Sequence, residues 1–390
     1  MSQDEVVRLA ARGDGVTASG AFVKLAAPGD LVAEDGAIIP GPHHQVPPCR
    51  HFPECGGCQL QHVDDSAYAD FLKERVAGAL SAQQLDLPEI RSPHISPPNT
   101  RRRAALRFDR GRLGFNEEAS HRVVDMRECH ILRPELFALV APVRALLQRL
   151  GVRNAGVRLT LADQGVDLLL ENVAADGLEA AQMLTEFAQN QGLARLALDD
   201  GYGVQSRWEP EPVTITLGGV PVPLPHGAFL QATADGEAAL VDAVREAIGA
   251  ARVVVDLFAG LGTFALTLDG KLLAAEGARD AVLALKAAAS RAGRQVFVDH
   301  RDLFRRPYTK AELDRFEAVV LDPPRAGAAE QVTQLAAAGV PRIAYVSCNP
   351  ATFARDAKAL LSGGYRLDWV KPVGQFRWST HVELAAAFSR

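Results

Sequence analysis

The chain has 390 residues, 48% of them hydrophobic and 23% charged, enough for two or three domains with real cores and typical of a soluble globular protein. No apolar run is long enough to span a bilayer and no basic stretch leads into an apolar one at the start, so the reading excludes a membrane or secreted protein and expects a cytoplasmic location with no membrane partner. The net charge of −5 speaks against a partner gripped by a global basic field, and five cysteines, an odd number, speak against a disulfide framework.

In chain order, residues 1–47 carry short β-like runs (Val6–Ala10, Ala21–Leu25, Ile38–Ile39) broken by Gly, Asp and Pro, which predicts a small β module. Around Pro47 and Pro48 the chain turns loop-like and holds Cys49, Cys55 and Cys58. Apolar positions at helical spacing predict a helix over 66–83. Residues 101–225 read as strand-rich, with helices near 134–150 and 176–192. Arg101, Arg102, Arg103, Arg107, Arg110 and Arg112 crowd one short stretch there, which suits either a solvated strand face or contacts to phosphates.

From about residue 235 the texture becomes an alternation of helices and apolar strands. Helices are predicted at 235–249, 278–291, 328–338 and 350–361. Strands are predicted at Arg252–Phe258, Leu272–Ala275, Gln295–Val298, Ala318–Leu321 and Arg342–Val346. The pattern implies a doubly wound parallel α/β sheet of the Rossmann-like kind. Two further runs, Arg366–Pro372 and Val382–Phe388, have no helix between them and predict an antiparallel pair closing the sheet edge. The chain divides into domains at 1–47, 48–222 and 223–390.

The strand 252–258 runs into DLFAGLGTFAL, where Gly260 and Gly262 form the turn. Glycine lets backbone approach a ligand closely, and ligands of such sheets bind beyond the carboxyl ends of the strands. Gly260, Gly262 and Ala265 also fit a dinucleotide fingerprint, so the loop alone does not name its cofactor. Glu276 ends the second strand, where it suits a ribose diol; Asp302 follows the third, where it suits either an adenine amino group or a turn.

LDPPR (Leu321–Arg325) ends the fourth strand and YVSCNP (Tyr345–Pro350) the fifth. Asn349 and Pro350 read as helix cap and first helical residue, so Cys348 sits at a helix N-terminus, whose dipole is expected to lower its pKa. A thiolate suits methylation at C5 of uracil: its addition to C6 turns C5 into an enolate carbon, and a base must then take the C5 proton. Glu383, just before the last strand, is a candidate base, although an edge-strand surface carboxylate suits its position too. Asp322-Pro323-Pro324-Arg325 lacks the aromatic that adenine methylation favours and the second cysteine that cytosine methylation in RNA uses. Asp322 suits the N3–H of uracil, which cytosine lacks.

Together DLFAGLGTF, LDPPR, YVSCNP and THVEL resemble the RNA uracil-C5-methyltransferase family, across nearly the whole chain. Cys49-RHFPE-Cys55-GG-Cys58, with Cys129 in MRECHIL, resembles the iron–sulfur branch of that family, the 23S rRNA enzymes. The resemblance implies a S-adenosylmethionine-dependent enzyme acting on RNA, most specifically 23S rRNA, with Cys348 as nucleophile and Glu383 as base. It implies cofactor contacts at Gln231, Phe258, Thr263, Glu276, Asp302 and Asp322; the family usually has Asn where Thr263 stands. It implies a [4Fe–4S] cluster on the four cysteines, where spacing alone equally allows zinc. It implies a shortened TRAM-like β-barrel at 1–47, packing of the helix near 61–92 with the catalytic domain, and RNA proximity of the arginine-rich stretch. No protein partner is implied, and the expected state is a monomer. The rival readings are a tRNA uracil methyltransferase and a non-catalytic iron–sulfur RNA-binding protein.

Overall fold

The computed structural model describes residues 4–390 and contains four sheets. The first is five-stranded and wholly antiparallel, built from residues 4–39. Its longest strand is Asp4–Leu9, not Val6–Ala10, and the run at 21–25 shrinks to Phe22–Val23. The strands Gly15–Thr17 and Leu31–Val32 carry no periodic signal because they are too short to show one.

A second sheet of six strands spans residues 103–208 and is antiparallel except where Gly165–Glu171 pairs with Arg195–Asp199. The helix expected near 134–150 is two, Pro134–Ala138 and Val140–Arg149, which meet at Leu139. They cover a core of Leu106, Phe108, Val143, Leu147, Val157 and Leu168. The hairpin Thr214–Leu217/Val220–Pro223 then leads to the last sheet.

That sheet has nine strands. Val296–His300, Lys271–Glu276, Val253–Leu257, Ala318–Leu321 and Arg342–Ser347 lie parallel in that spatial order. The order reverses beside Val253–Leu257, which puts the topological switch point, the usual place for a ligand, at the glycine loop. Side chains alternate between faces along each strand. Val255, Leu257, Ile343 and Tyr345 face one core with Tyr68, Phe71 and Phe353, while Val254, Ala344 and Val346 face another with Leu240, Val244 and Leu285. Burial on both faces is why these strands read as unbroken apolar runs.

Arg366–Gly374 and Glu383–Ser389 do form an antiparallel pair, but they do not close the sheet. Glu383–Ser389 inserts beside Arg342–Ser347, and the free side of Arg366–Gly374 takes up Glu89–Ile90 and His94–Ile95 in parallel. The helix Asp65–Ala82, capped by Asp64, packs on this same sheet through Tyr68, Phe71, Leu72 and Val76. An early segment of the chain therefore completes the last sheet, which no local pattern announces. Among the described residues no helix is long and apolar enough to cross a membrane.

Candidate active site

Beyond the carboxyl ends of the parallel strands lies a cleft of about 510 Å³, within the usual range for a ligand site. It is lined by every residue singled out for catalysis or cofactor binding: Gln231, Phe258, Thr263, Glu276, Asp302, Asp322, Cys348 and Glu383. Six strands with their loops, and the loop before the helix Ala234–Ile248, deliver these side chains, so chain folding rather than sequence proximity assembles the site.

The glycine loop turns immediately after Leu257. Phe258 sits at φ 64°, a left-handed conformation uncommon for a side chain with a Cβ, and its ring lies 5.4 Å from that of Phe304. At Gly262 (φ 95°) a Cβ would come within 2.4 Å of Leu285, so glycine is required for the loop to lie against the helix Arg279–Arg291. Glu276 accepts hydrogen bonds from the backbone N–H of Gly260 (2.9 Å) and Ala278 (2.6 Å), which fixes the loop against the second strand. Asp302 accepts from the N–H of Phe304 (3.0 Å) while facing the cleft, so its turn role and its place at the site coexist. Asp256, fully buried, accepts from the N–H of Ala265, and burial followed by the charge of Asp322 holds its carboxyl well above the usual range.

Glu383 is the first residue of its strand and only 4% exposed, so it is not the surface carboxylate its edge-like sequence position suited. Burial, then the charge of Asp322, pushes its carboxyl up to about 8, against the pull of Gln375 and Arg103. Burial alone pushes Asp322 up to about 7. Asn349 caps the helix Pro350–Ser362 through the N–H of Ala351 (3.1 Å), as the motif predicts. The expected lowering of the Cys348 thiol, however, is not found. Burial, then the charges of Glu383 and Asp322, raises it, outweighing the opposing effect of Arg325. Deprotonation of this thiol is thus disfavoured until a positive charge joins the three acidic groups.

The arginine-rich stretch divides. Arg107, Arg110 and Arg112 are exposed, but Arg102 is buried and paired with Glu237 at 2.6 Å, which removes it from any phosphate contact. Arg103 lies 4.5 Å over the ring of Phe229, an exposed aromatic at the cleft mouth. Gln375 carries no local signal in the sequence, and Arg103 and Arg325 stand out there only as members of the arginine-rich stretch and of LDPPR; their nearness to Glu383 or Cys348 is what marks all three.

Cys49, Cys55, Cys58 and Cys129 line one small cavity together with Phe115, Val124, Met126 and Ile131. All four are free thiols, and burial is the first cause raising each. Cys58 reaches about 12. The four cysteines share this cavity, but among the described residues no group of three or more His, Cys, Asp or Glu is disposed to hold a metal ion. The cysteine loop is tied to the site: the N–H groups of Gln59 (2.8 Å) and Leu60 (2.9 Å) both donate to the carbonyl of Trp378, in the connection that precedes Glu383.

The tRNA (Uracil-5-)-methyltransferase family profile matches residues 289–390. An uncharacterized RNA methyltransferase of Zymomonas mobilis is 54% identical, over 99% of this chain and 99% of its own. The 23S rRNA (uracil(1939)-C(5))-methyltransferase of Aeromonas salmonicida is 30% identical, over 90% of this chain and 84% of its own. The structure of Pyrococcus abyssi tRNA (uracil-54, C5)-methyltransferase with S-adenosyl-L-homocysteine superposes with a TM-score of 0.76 at 20% identity, covering 99% of this chain and 100% of that one, and so shares the mixed α/β fold. The chain belongs to the RNA uracil-5-methyltransferase family and is a S-adenosylmethionine-dependent RNA methyltransferase.

Proposed function

We propose that the cleft methylates C5 of a uridine in 23S rRNA, with Cys348 as nucleophile and Glu383 as base. The observation that carries this reading is that both side chains line the cleft formed by the glycine loop, Glu276 and Asp302. The aromatic pair Phe258/Phe304 and the carboxylates at successive strand ends suit an adenosine, and the acidic floor suits a cationic group beside it. When bound, S-adenosylmethionine supplies the methyl group there. Cys348 adds through sulfur to C6, and the C5=C6 electrons make C5 nucleophilic. After methylation Glu383 takes the C5 proton; the electrons of that C–H bond restore C5=C6, and the C6–S bond breaks to return the Cys348 thiolate. Asp322, which lines the same cleft, suits a hydrogen bond accepted from the N3–H of the ring. A base must leave its stack to reach this depth.

The RNA class rests on the Aeromonas relative's 23S rRNA activity and its 30% identity to this chain. The sheet of residues 4–39 fits a shortened TRAM-like RNA-binding module, with domains at 1–47, 48–222 and 223–390 and a monomeric, cytoplasmic enzyme. The four thiols around one cavity fit a [4Fe–4S] cluster by their donor chemistry, and the resemblance of their spacing to the iron–sulfur branch favours a cluster over a zinc ion. Its role is structural, holding the loop Cys49–Cys58 to the loop that carries Cys129.

RNA carrying 5-fluorouridine tests the chemistry, because fluorine at C5 cannot leave as a proton. The parent enzyme forms a denaturation-resistant adduct with a 23S rRNA fragment, and Cys348→Ala forms none; an adduct in Cys348→Ala would sink the nucleophile assignment. Parallel 23S and tRNA transcripts decide the substrate, methylation of the tRNA alone overturning the choice made here. Anaerobically purified protein is expected to hold about four irons per chain with a broad visible absorbance, whereas stoichiometric zinc would overturn the cluster.

A further inference from the structure

We propose that Gln375 is a positioning residue that dictates which atoms of Glu383 and Gln231 face the reacting groups. This rests on Glu383 acting as the base. Gln375 is 1% exposed and lies in no motif; it stands where Arg366–Gly374 ends, against the first turn of the helix Ala234–Ile248. The contact is close: a Cβ on Gly236 would come 2.7 Å from the Cβ of Gln375.

The direction of every hydrogen bond in this hub follows from chemistry. The Oε1 of Gln375 accepts from the backbone N–H of Ala232 (2.7 Å) and Thr233 (3.3 Å). A backbone N–H only donates, so the carboxamide cannot be reversed without stranding two buried donors. Its two amide hydrogens must then point the other way. One is donated to Oε2 of Glu383 and the other to Oε1 of Gln231, at 2.7 Å for the latter. Two consequences follow. Gln231 must present its own Nε2, a donor, to the cleft it lines, which suits an oxygen ligand and rejects a donor. Glu383 has Oε2 held, which leaves Oε1 to take the C5 proton.

A hydrogen bond donated to a carboxylate favours its ionised form. The other groups facing Glu383 are Asp322, which opposes ionisation, Arg103, which favours it, and the Cys348 thiol, whose own deprotonation Glu383 disfavours. Within this acidic surrounding the Gln375 amide is the neutral donor that keeps the carboxyl of Glu383 from rising further.

The test uses Gln375→Met, which fills the volume without donating, and Gln375→Glu, which keeps an acceptor for the two N–H groups but turns a negative atom toward Glu383. Single-turnover reactions on ordinary RNA measure methyl transfer and adduct release separately across pH 6–9. The pH midpoint for release is expected to rise by about one unit in Gln375→Met and further in Gln375→Glu, with methyl transfer changed less. S-adenosylhomocysteine is expected to bind about tenfold more weakly to Gln375→Met, because the Gln231 amide is free to turn over. Release midpoints equal to the parent's in both folded variants, or a loss of melting temperature with unchanged midpoint and affinity, would overturn the proposal. Glu383→Gln separates it from the reading beneath it. That variant should accumulate methylated adduct at every pH; if it releases product normally, Glu383 is not the base and the release arm of the proposal falls with it, while the S-adenosylhomocysteine affinity still decides the orientation of Gln231.

Discussion

At the scale of single residues, the site keeps groups that folding alone would not choose. Glu383 has a carboxyl raised from 4.5 to about 8, so the folded state binds its proton more tightly than the unfolded chain does. Its full contribution to stability is present below about pH 4.5 and is lost as the pH rises toward 8. Glu383→Gln, which removes the titration, is therefore expected to melt about 2 °C above the parent at pH 7.5 and to match it at pH 4.5. Calorimetry across that range checks this, and a variant less stable than the parent at pH 7.5 would contradict it. Cys348 and Glu383 were legible in sequence because each lies in a compact motif at a strand end. The raised pKa of Cys348 was not, because it comes first from burial and then from Glu383 and Asp322, all supplied by parts of the chain that folding brings to it.

At the scale of elements, the cysteine loop and the connection before Glu383 form one unit. Gln59 and Leu60 both donate to the Trp378 carbonyl, and Cys58, Ile131 and Trp378 share a small apolar cluster flanked by Cys129. Trp378 itself lies at φ 59°, a conformation its surroundings must enforce. Loosening the loop should free the connection. In Cys58→Ala, backbone hydrogen exchange over residues 376–382 is expected to speed up by about tenfold or more, while exchange in the strand Val253–Leu257 stays as in the parent. Unchanged exchange over 376–382 would show the two segments to be independent. Elements with strong periodicity, such as the helix Pro350–Ser362, were readable to within a residue or two. The split at Leu139 was not, since apolar spacing runs on through both helices.

At the scale of the whole molecule, the parallel order of the last sheet was readable from alternating helices and apolar strands, but its edge was not. Pairing of Trp369 with Glu89 and of Val373 with His94 joins segments with no local relation. A fragment of residues 223–390 would leave the strand Arg366–Gly374 open on one side and the apolar bed of Tyr68 and Phe71 bare. It is expected to aggregate, and joining residues 61–95 ahead of it to restore a soluble, S-adenosylhomocysteine-binding form; solubility of 223–390 alone, by sedimentation, would refute this. During synthesis the same feature sets a schedule. The helix Asp65–Ala82 leaves the ribosome well ahead of the strands it rests against, so the nascent chain carries Tyr68, Phe71 and Leu72 uncovered until those strands follow, and chaperone capture is the natural bridge across that interval.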